Sequence, residues 1–305
     1  MKVIRKLTEM QGTAESLRLQ GKRIAFVPTM GFLHEGHLSL MREGRKRADV
    51  VVASVFVNPT QFGPQEDLEA YPRDFDRDEK LMSGVGVDFV FYPTVEEIYP
   101  EGYQTYVIVE RVSRGLCGAS RPVHFRGVAT VVTKLFNIVK PHVALFGDKD
   151  FQQRVVIQRM VEDLNFDLEV LGCPTVREPD GLAMSSRNAY MSPQERGEAP
   201  ALKRSLEEAR TLFQAGERRA QLLMDKVRLS LSLHPLIKLD YLHVCDTRTL
   251  EDVAVIGKEA VLVIAAFLGK TRLIDNIVLV EPAERTLSAA RHPEQEREGK
   301  SIVNS

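Results

Sequence analysis

Residues 50–57 read VVVASVFV, an apolar run broken by no charge. A strand that meets water on one face alternates polar and apolar residues. An unbroken run suits a strand covered on both faces, which parallel sheets wrapped by helices provide. This run therefore directs the chain to the α/β class. Its neighbours agree with that reading. Residues 5–20 carry apolar positions at helical spacing, with Gly21 placed as a C-cap, and Arg23 to Val27 reads as a strand. His37 to Arg47 predicts a helix with Leu38 and Met41 on its buried face. Arg73 to Ser83 predicts another helix, and Asp88 to Tyr92 another strand. Strand, helix, strand, helix, strand is the pattern of a doubly wound parallel sheet.

The alternation continues. Tyr106 to Glu110 alternates and predicts a strand, and Gly115 to Gly127 predicts a polar loop. Val128, Val131, Leu135, Ile138 and Val139 form one helical stripe, which Pro141 ends. His142 to Phe146 and Leu168 to Leu171 predict strands around a helix at Phe151 to Leu164. After Pro174 the character changes. A polar loop, Thr175 to Asn188, leads into two charged helices between Pro200 and Ser232, joined around Gly216. Lys238 to Val244, Ala260 to Ala266 and Asn276 to Val280 then predict a small antiparallel sheet. The expected organisation is a Rossmann-like domain over 1–174 and a smaller C-terminal α+β domain over 175–280 that acts as a lid. Residues 281–305, of mixed charge, read as a mobile or loosely helical tail.

Charge excludes some roles. The chain has 41 basic and 42 acidic residues among 305, a formal net charge of -1. That balance gives no global reason to expect nucleic-acid or membrane-surface binding. The longest apolar runs, such as Val261 to Leu268, are too short to span a bilayer, and the charged N-terminus lacks the apolar core of a signal peptide. Cys117, Cys173 and Cys245 are odd in number and widely spaced, which argues for reduced cytoplasmic thiols over a disulfide framework or a CxxC metal site.

The chemistry gathers where strands end. Pro28 breaks the first strand, a turn of small residues follows, and His34-Glu35-Gly36-His37 stands at the start of the next helix. Gly36 allows close backbone approach, the helix start offers unpaired N–H groups, and the histidines can donate to developing negative charge. The pair lacks a third ligand and the i, i+4 spacing of a zinc site. Asn58 to Gln61 follows the second strand and Gly147 to Asp150 a later one, so three polar loops converge on one crevice. Met184-Ser185-Ser186-Arg187 lies beyond the boundary, placed to close over it. Each motif alone also reads blandly: a solvated helix start, a type I turn, a serine-rich turn, loop-forming amides, and at His124 a satisfied loop histidine.

Together the motifs resemble one family. VPTMGFLHEGHLSL, FVNPTQFGPQEDLEAYPRD, SRPVHFRGVATVVTKLFN, GDKDFQQ, DGLAMSSRN and RLIDN resemble the pantothenate synthetases (pantoate–β-alanine ligases), in that family's order and over roughly residues 1–280. HEGH is the family's form of the HIGH signature of adenylyl-transferring Rossmann enzymes, and MSSR resembles the KMSKS-like loop. The resemblance implies ATP-dependent condensation of (R)-pantoate with β-alanine through a pantoyl adenylate, releasing pyrophosphate and AMP. It implies His37, His34 and Lys149 as catalytic, His37 as the proton donor. Met30, Gly31, Phe32, Leu33, His34, Glu35, Gly36 and His37 would line the ATP site. So would Gly147, Asp148, Lys149, Asp150, Val176, Met184, Ser185, Ser186 and Arg187. Gln61 and Gln153 would hold pantoate, with Asn58 and Tyr71 nearby. ATP is a substrate. Mg²⁺ would bridge its phosphates, with Asp148, Asp150 and Asp76 as possible ligands. A cytoplasmic homodimer is implied. Cys117 stands where the family commonly has glutamate, Val123 where it has glycine and Asp148 where glutamate is common.

Two other readings compete. A different HIGH-type nucleotidyltransferase would need a site for a phosphate-bearing acceptor, whereas the FVNPTQF and GDKDFQQ loops offer amides suited to a carboxylate and hydroxyls. A non-catalytic nucleotide-binding protein would not need His34, His37, Lys149 and Arg187 together.

Overall fold

The computed structural model describes residues 1–64 and 66–281, so the expectation for a C-terminal tail falls outside the described residues apart from Glu281. Six strands build one sheet: β1 (Lys2–Ile4), β2 (Ile24–Thr29), β3 (Val50–Val55), β4 (Phe89–Phe91), β5 (Val143–Gly147) and β6 (Glu169–Cys173). Their order is β1-β4-β3-β2-β5-β6, and every neighbouring pair is parallel. All six residues of β3 are buried, which accounts for the unbroken apolar run. From β2 the chain adds β3 and β4 on one side, then returns to add β5 and β6 on the other. The winding reverses between β2 and β5, and a crevice opens at the carboxyl ends of strands flanking such a point.

Helices cover both faces. Ile24 and Phe26 face α1 (Leu7–Leu19) and α6 (His124–Val139), while Ala25 and Val27 face α2 (Glu35–Arg47) and α3 (Phe75–Gly84). The alternation from Ile24 to Val27 is between two apolar cores, hence the lack of polar residues there. Short helices α4 (Val95–Ile98) and α5 (Cys117–Ser120) interrupt the connection from β4 to α6, and α7 (Phe151–Asp163) joins β5 to β6. After β6 come α8 (Pro193–Glu198), α9 (Ala201–Gln214) and α10 (Ala220–Leu231), then an antiparallel sheet of β7 (Ile237–Cys245), β8 (Glu259–Leu268) and β9 (Thr271–Val280). One face of this sheet packs on α9 and α10. Val261 and Val263, on the other, meet Phe125, Phe151 and Val155 of the larger part.

Two expectations differ from the structure, and one strand had no expectation. β1 pairs with β4 although its three residues carry too little pattern to read. Residues 106–110 form no strand. Val107 N–H donates to Thr130 Oγ1 at 2.9 Å rather than to a strand neighbour, and Val107 and Val109 pack on the core while Ile108 is exposed. The alternating pattern there records one-sided packing against α6. The 115–127 segment is not all loop: α5 lies within it, and α6 begins at His124.

Candidate active site

The β2–α2 junction is fixed by contacts among close neighbours and one buried acid. His34 is the N-cap of α2: its Nδ1 accepts from Gly36 N–H at 3.1 Å, and His37 Nδ1 accepts from His34 N–H at 3.3 Å. The two rings, 4.1 Å apart between centroids, thus form a reciprocal cap in which each Nδ1 is an acceptor. The ring proton of each must then sit on Nε2. A Cβ on residue 36 would lie 2.8 Å from the His34 ring, so only glycine admits this cap. Upstream, Gly31 has φ +87, and the Asp78 carboxylate accepts from Phe32 and Leu33 N–H, both at 2.7 Å. Asp78 comes from α3 and is fully buried. Burial pushes its carboxyl up, against those two bonds, which favour its charge.

Burial and the positive charge of Lys149 hold both histidines neutral. His34 is pushed down to about 4, and His37 lies well below its ordinary value, with the His34 ring as a further cause. In the free protein each therefore offers an Nε2–H hydrogen bond rather than a spare proton.

Below them lies a floor set by α6. Gly127 lets that helix press on the turn Pro59–Gln61, where a Cβ would stand 2.4 Å from Thr60 O. Buried Asn58 is fully engaged: its amide donates to Gln61 Oε1 and Gly127 O, both at 3.1 Å, and its Oδ1 accepts from Tyr99 at 2.8 Å. Gln61 Nε2 points to Met30 Sδ at 3.2 Å. His124 Nδ1 lies 3.1 Å from Gln61 O; burial and Arg121 push this ring down to about 4. Arg121 in turn pairs with Glu66, Nε to Oε1 at 2.9 Å.

A second wall is assembled from afar. The turn Asp148–Asp150 presents Lys149, and its carbonyls at 148 and 149 accept from Asn276 of β9. In the 175–188 loop, Arg177 makes two bonds to buried Asp275, at 2.7 and 2.8 Å. Arg187 is held by Asp67, at 3.1 and 3.0 Å.

One cavity collects most of the residues expected from sequence: Met30, His34, Gly36, His37, Asn58, Gln61, Tyr71, Gly147, Lys149, Asp150, Gln153, Val176 and Met184 to Arg187. Arg121 and His124 join them. Others expected there do not line it. Leu33 is buried in the core, Gly31 packs on Val55 and Asp78, Phe32 lies under the Arg77 guanidinium, and Glu35 faces outward to Arg42. Asp148 is turned to Arg154, Nε to Oδ1 at 2.6 Å, and Asp76 lies in a separate hollow with Met1 and Lys80. Among the described residues no group of three or more His, Cys, Asp or Glu is placed to hold a metal ion. Sequence reasoning missed the supporting roles of Asp78, Asp67, Arg177, Asp275 and Asn276. Two visible signals touched them: FVNPTQFGPQEDLEAYPRD contains Asp67, and RLIDN covers the last two.

A family model described as pantoate-beta-alanine ligase matches residues 2–278. A pantothenate synthetase from Syntrophus aciditrophicus is 59% identical over 281 residues, covering 92% of this chain and 98% of its own. One from Geobacter sulfurreducens is 57% identical, covering 92% and 99%. The crystal structure of pantothenate synthetase from Thermus thermophilus superposes with a TM-score of 0.87 at 44% identity, over 92% of this chain and all (100%) of that one. The pantoate-beta-alanine ligase from Francisella tularensis, complexed with beta-gamma ATP and beta-alanine, gives 0.74 at 33% identity, over 91% and 97%.

Proposed function

The chain belongs to the pantoate-beta-alanine ligase family, and from that premise we propose that it forms pantothenate from (R)-pantoate, β-alanine and ATP by way of a pantoyl adenylate. A pantoate carboxylate oxygen attacks the α-phosphorus, and the bond to the bridging oxygen breaks as pyrophosphate leaves. The β-alanine amine then attacks the acyl carbon, loses a proton, and AMP leaves with the bonding pair.

The observation that carries this reading is the pairing of two donor sets across one cavity. The capped histidines form one set, and Lys149 with Ser185, Ser186 and Arg187 the other. Donors fixed before charge develops stabilise it without reorganisation. His34 and His37 would donate through Nε2 to α-phosphate oxygens, and His37 would pass a proton toward the departing pyrophosphate only once bound phosphates raise its basicity enough for the ring to take one up from solvent, giving up its Nδ1 bond to His34 N–H. Lys149 and Arg187 would take the pyrophosphate charge. Gln61 and Gln153 would orient pantoate, with Asn58 holding Gln61 and Tyr71 beside it. No nucleophile from the protein is required, so the three buried cysteines have no covalent part.

Mg²⁺ would neutralise phosphate charge when bound. The donor set fits an ion carried mainly by the nucleotide, because Asp150 is the one acid of the three candidates that lines the cavity. Residues 1–174 would hold nucleotide and pantoate while 175–280 cover them. Family membership is the ground for expecting a homodimer in the cytoplasm. Among the described residues no helix is long and apolar enough to cross a membrane.

Radiolabelled pyrophosphate should exchange into ATP only when pantoate is present, and AMP release should need β-alanine as well. AMP release independent of either acid would overturn the assignment.

A further inference from the structure

The late run RLIDN, residues 272–276, has no part in the chemistry above, yet its last two residues reach both loops of the distal wall. Asn276 is 8% exposed on β9. Its single amide group donates to Asp148 O at 2.8 Å and to Lys149 O at 3.1 Å. The turn it grips has no side-chain cap of its own. Next along the strand, Asp275 binds Arg177, and its Oδ1 also accepts the Asn276 backbone N–H at 2.8 Å. Arg177 continues to Gly181 O at 3.0 Å, in the loop that leads to Met184–Arg187.

We propose that Asn276 is a positioning residue for the adenylation step: by holding the carbonyls of Asp148 and Lys149, it fixes where the Lys149 ammonium meets the departing phosphates. The inference rests on the reading that Lys149 contacts those phosphates. Lysine is a point charge on a flexible four-carbon stem, so its placement depends on the backbone that carries it. Displacement of such a group by about 1 Å can cost on the order of 10²-fold in rate. An amide suits the task because both of its N–H groups point to carbonyls. A carboxylate of the same shape would set acceptor against acceptor.

The test uses Asn276→Asp, Asn276→Ala, Asn276→Ser, Lys149→Ala and the double variant Asn276→Ala/Lys149→Ala. Each is read by pantoate-dependent pyrophosphate exchange and by thermal unfolding. Asn276→Ala and Asn276→Asp should lower kcat roughly ten- to hundredfold and leave the KM for pantoate within about twofold. Asn276→Ser, which keeps one donor, should recover part of the rate. The double variant should be no more than about twofold slower than Lys149→Ala, because the two residues act through one group. Losses that multiply in the double variant, or full activity in any folded Asn276 variant, would overturn the proposal; should Asn276→Ala fail to fold, Asn276→Ser decides. A Lys149→Ala enzyme within about twofold of the parent would instead overturn the phosphate-binding role of Lys149, a separate failure.

Discussion

The wall that carries His34 and His37 is held by its own neighbours. Ring nitrogens bond backbone N–H groups two and three residues away, Gly36 makes room for them, and Asp78 is the one distant support. The wall that carries Lys149 and Met184–Arg187 is held by residues 98 to 128 positions away: Asp275 for Arg177, Asp67 for Arg187, Asn276 for the turn at 148–149. The first wall is set once the helix forms. The second draws two of its three holds from the antiparallel sheet.

Breaking the local wall at its centre should have the largest effect. His37→Ala should lower turnover on the order of 10²–10⁴-fold with the fold intact; a loss below tenfold in a folded protein would remove His37 from the chemistry. Breaking the distal wall should first show as instability. Asp275 is 4% exposed and paired twice, so Arg177→Ala strands a buried carboxylate. It should cost about 3 kcal/mol in denaturant unfolding, and an unchanged midpoint would mean the ion pair does not secure the loop.

A smaller effect separates the rings by pH. His34 and His124, both pushed down to about 4, bind fewer protons folded than unfolded below pH 6.5. Stability is therefore lost as pH falls from about 6.5 toward 4, and the loss levels off below that. His124→Gln keeps a donor for Gln61 O and removes one titration. Its unfolding midpoint should fall less steeply between pH 6.5 and 5, by up to about 1.4 kcal/mol per pH unit of stability. Parallel curves would show that His124 titrates normally. The smallest effect should come from deleting residues 285–305, beyond the matched family region. Activity should stay near that of the parent, and its collapse would give the segment a part in the site.

The same contrast explains what the sequence could reveal. β2, β3 and the start of α2 were legible because an unbroken apolar run and a glycine between histidines act over a few residues, although Pro28 does not break β2, which continues to Thr29 in register with β3. The antiparallel sheet was legible from its apolar segments. The side chains of Phe32, Leu33 and Glu35 turn away from the cavity although their motif borders it. A helix start turns successive side chains apart, and Leu33 went into the core while Glu35 faced outward. Asp148 was drawn off by Arg154, one turn along α7. Arg177 carried no local signal, and Asp67 and Asp275, though inside the FVNPTQFGPQEDLEAYPRD and RLIDN motifs, gave no sign of their partners, since a charged residue looks alike in sequence whether solvated or paired across the fold.

The most direct measurement is a crystal structure after soaking with ATP, Mg²⁺ and pantoate. The account predicts a pantoyl adenylate whose phosphate lies about 3 Å from the Nε2 atoms of His34 or His37, with Lys149 on the opposite side and Arg187 released from Asp67. An adenylate that touches only one wall, with Arg187 still bound to Asp67, would contradict it.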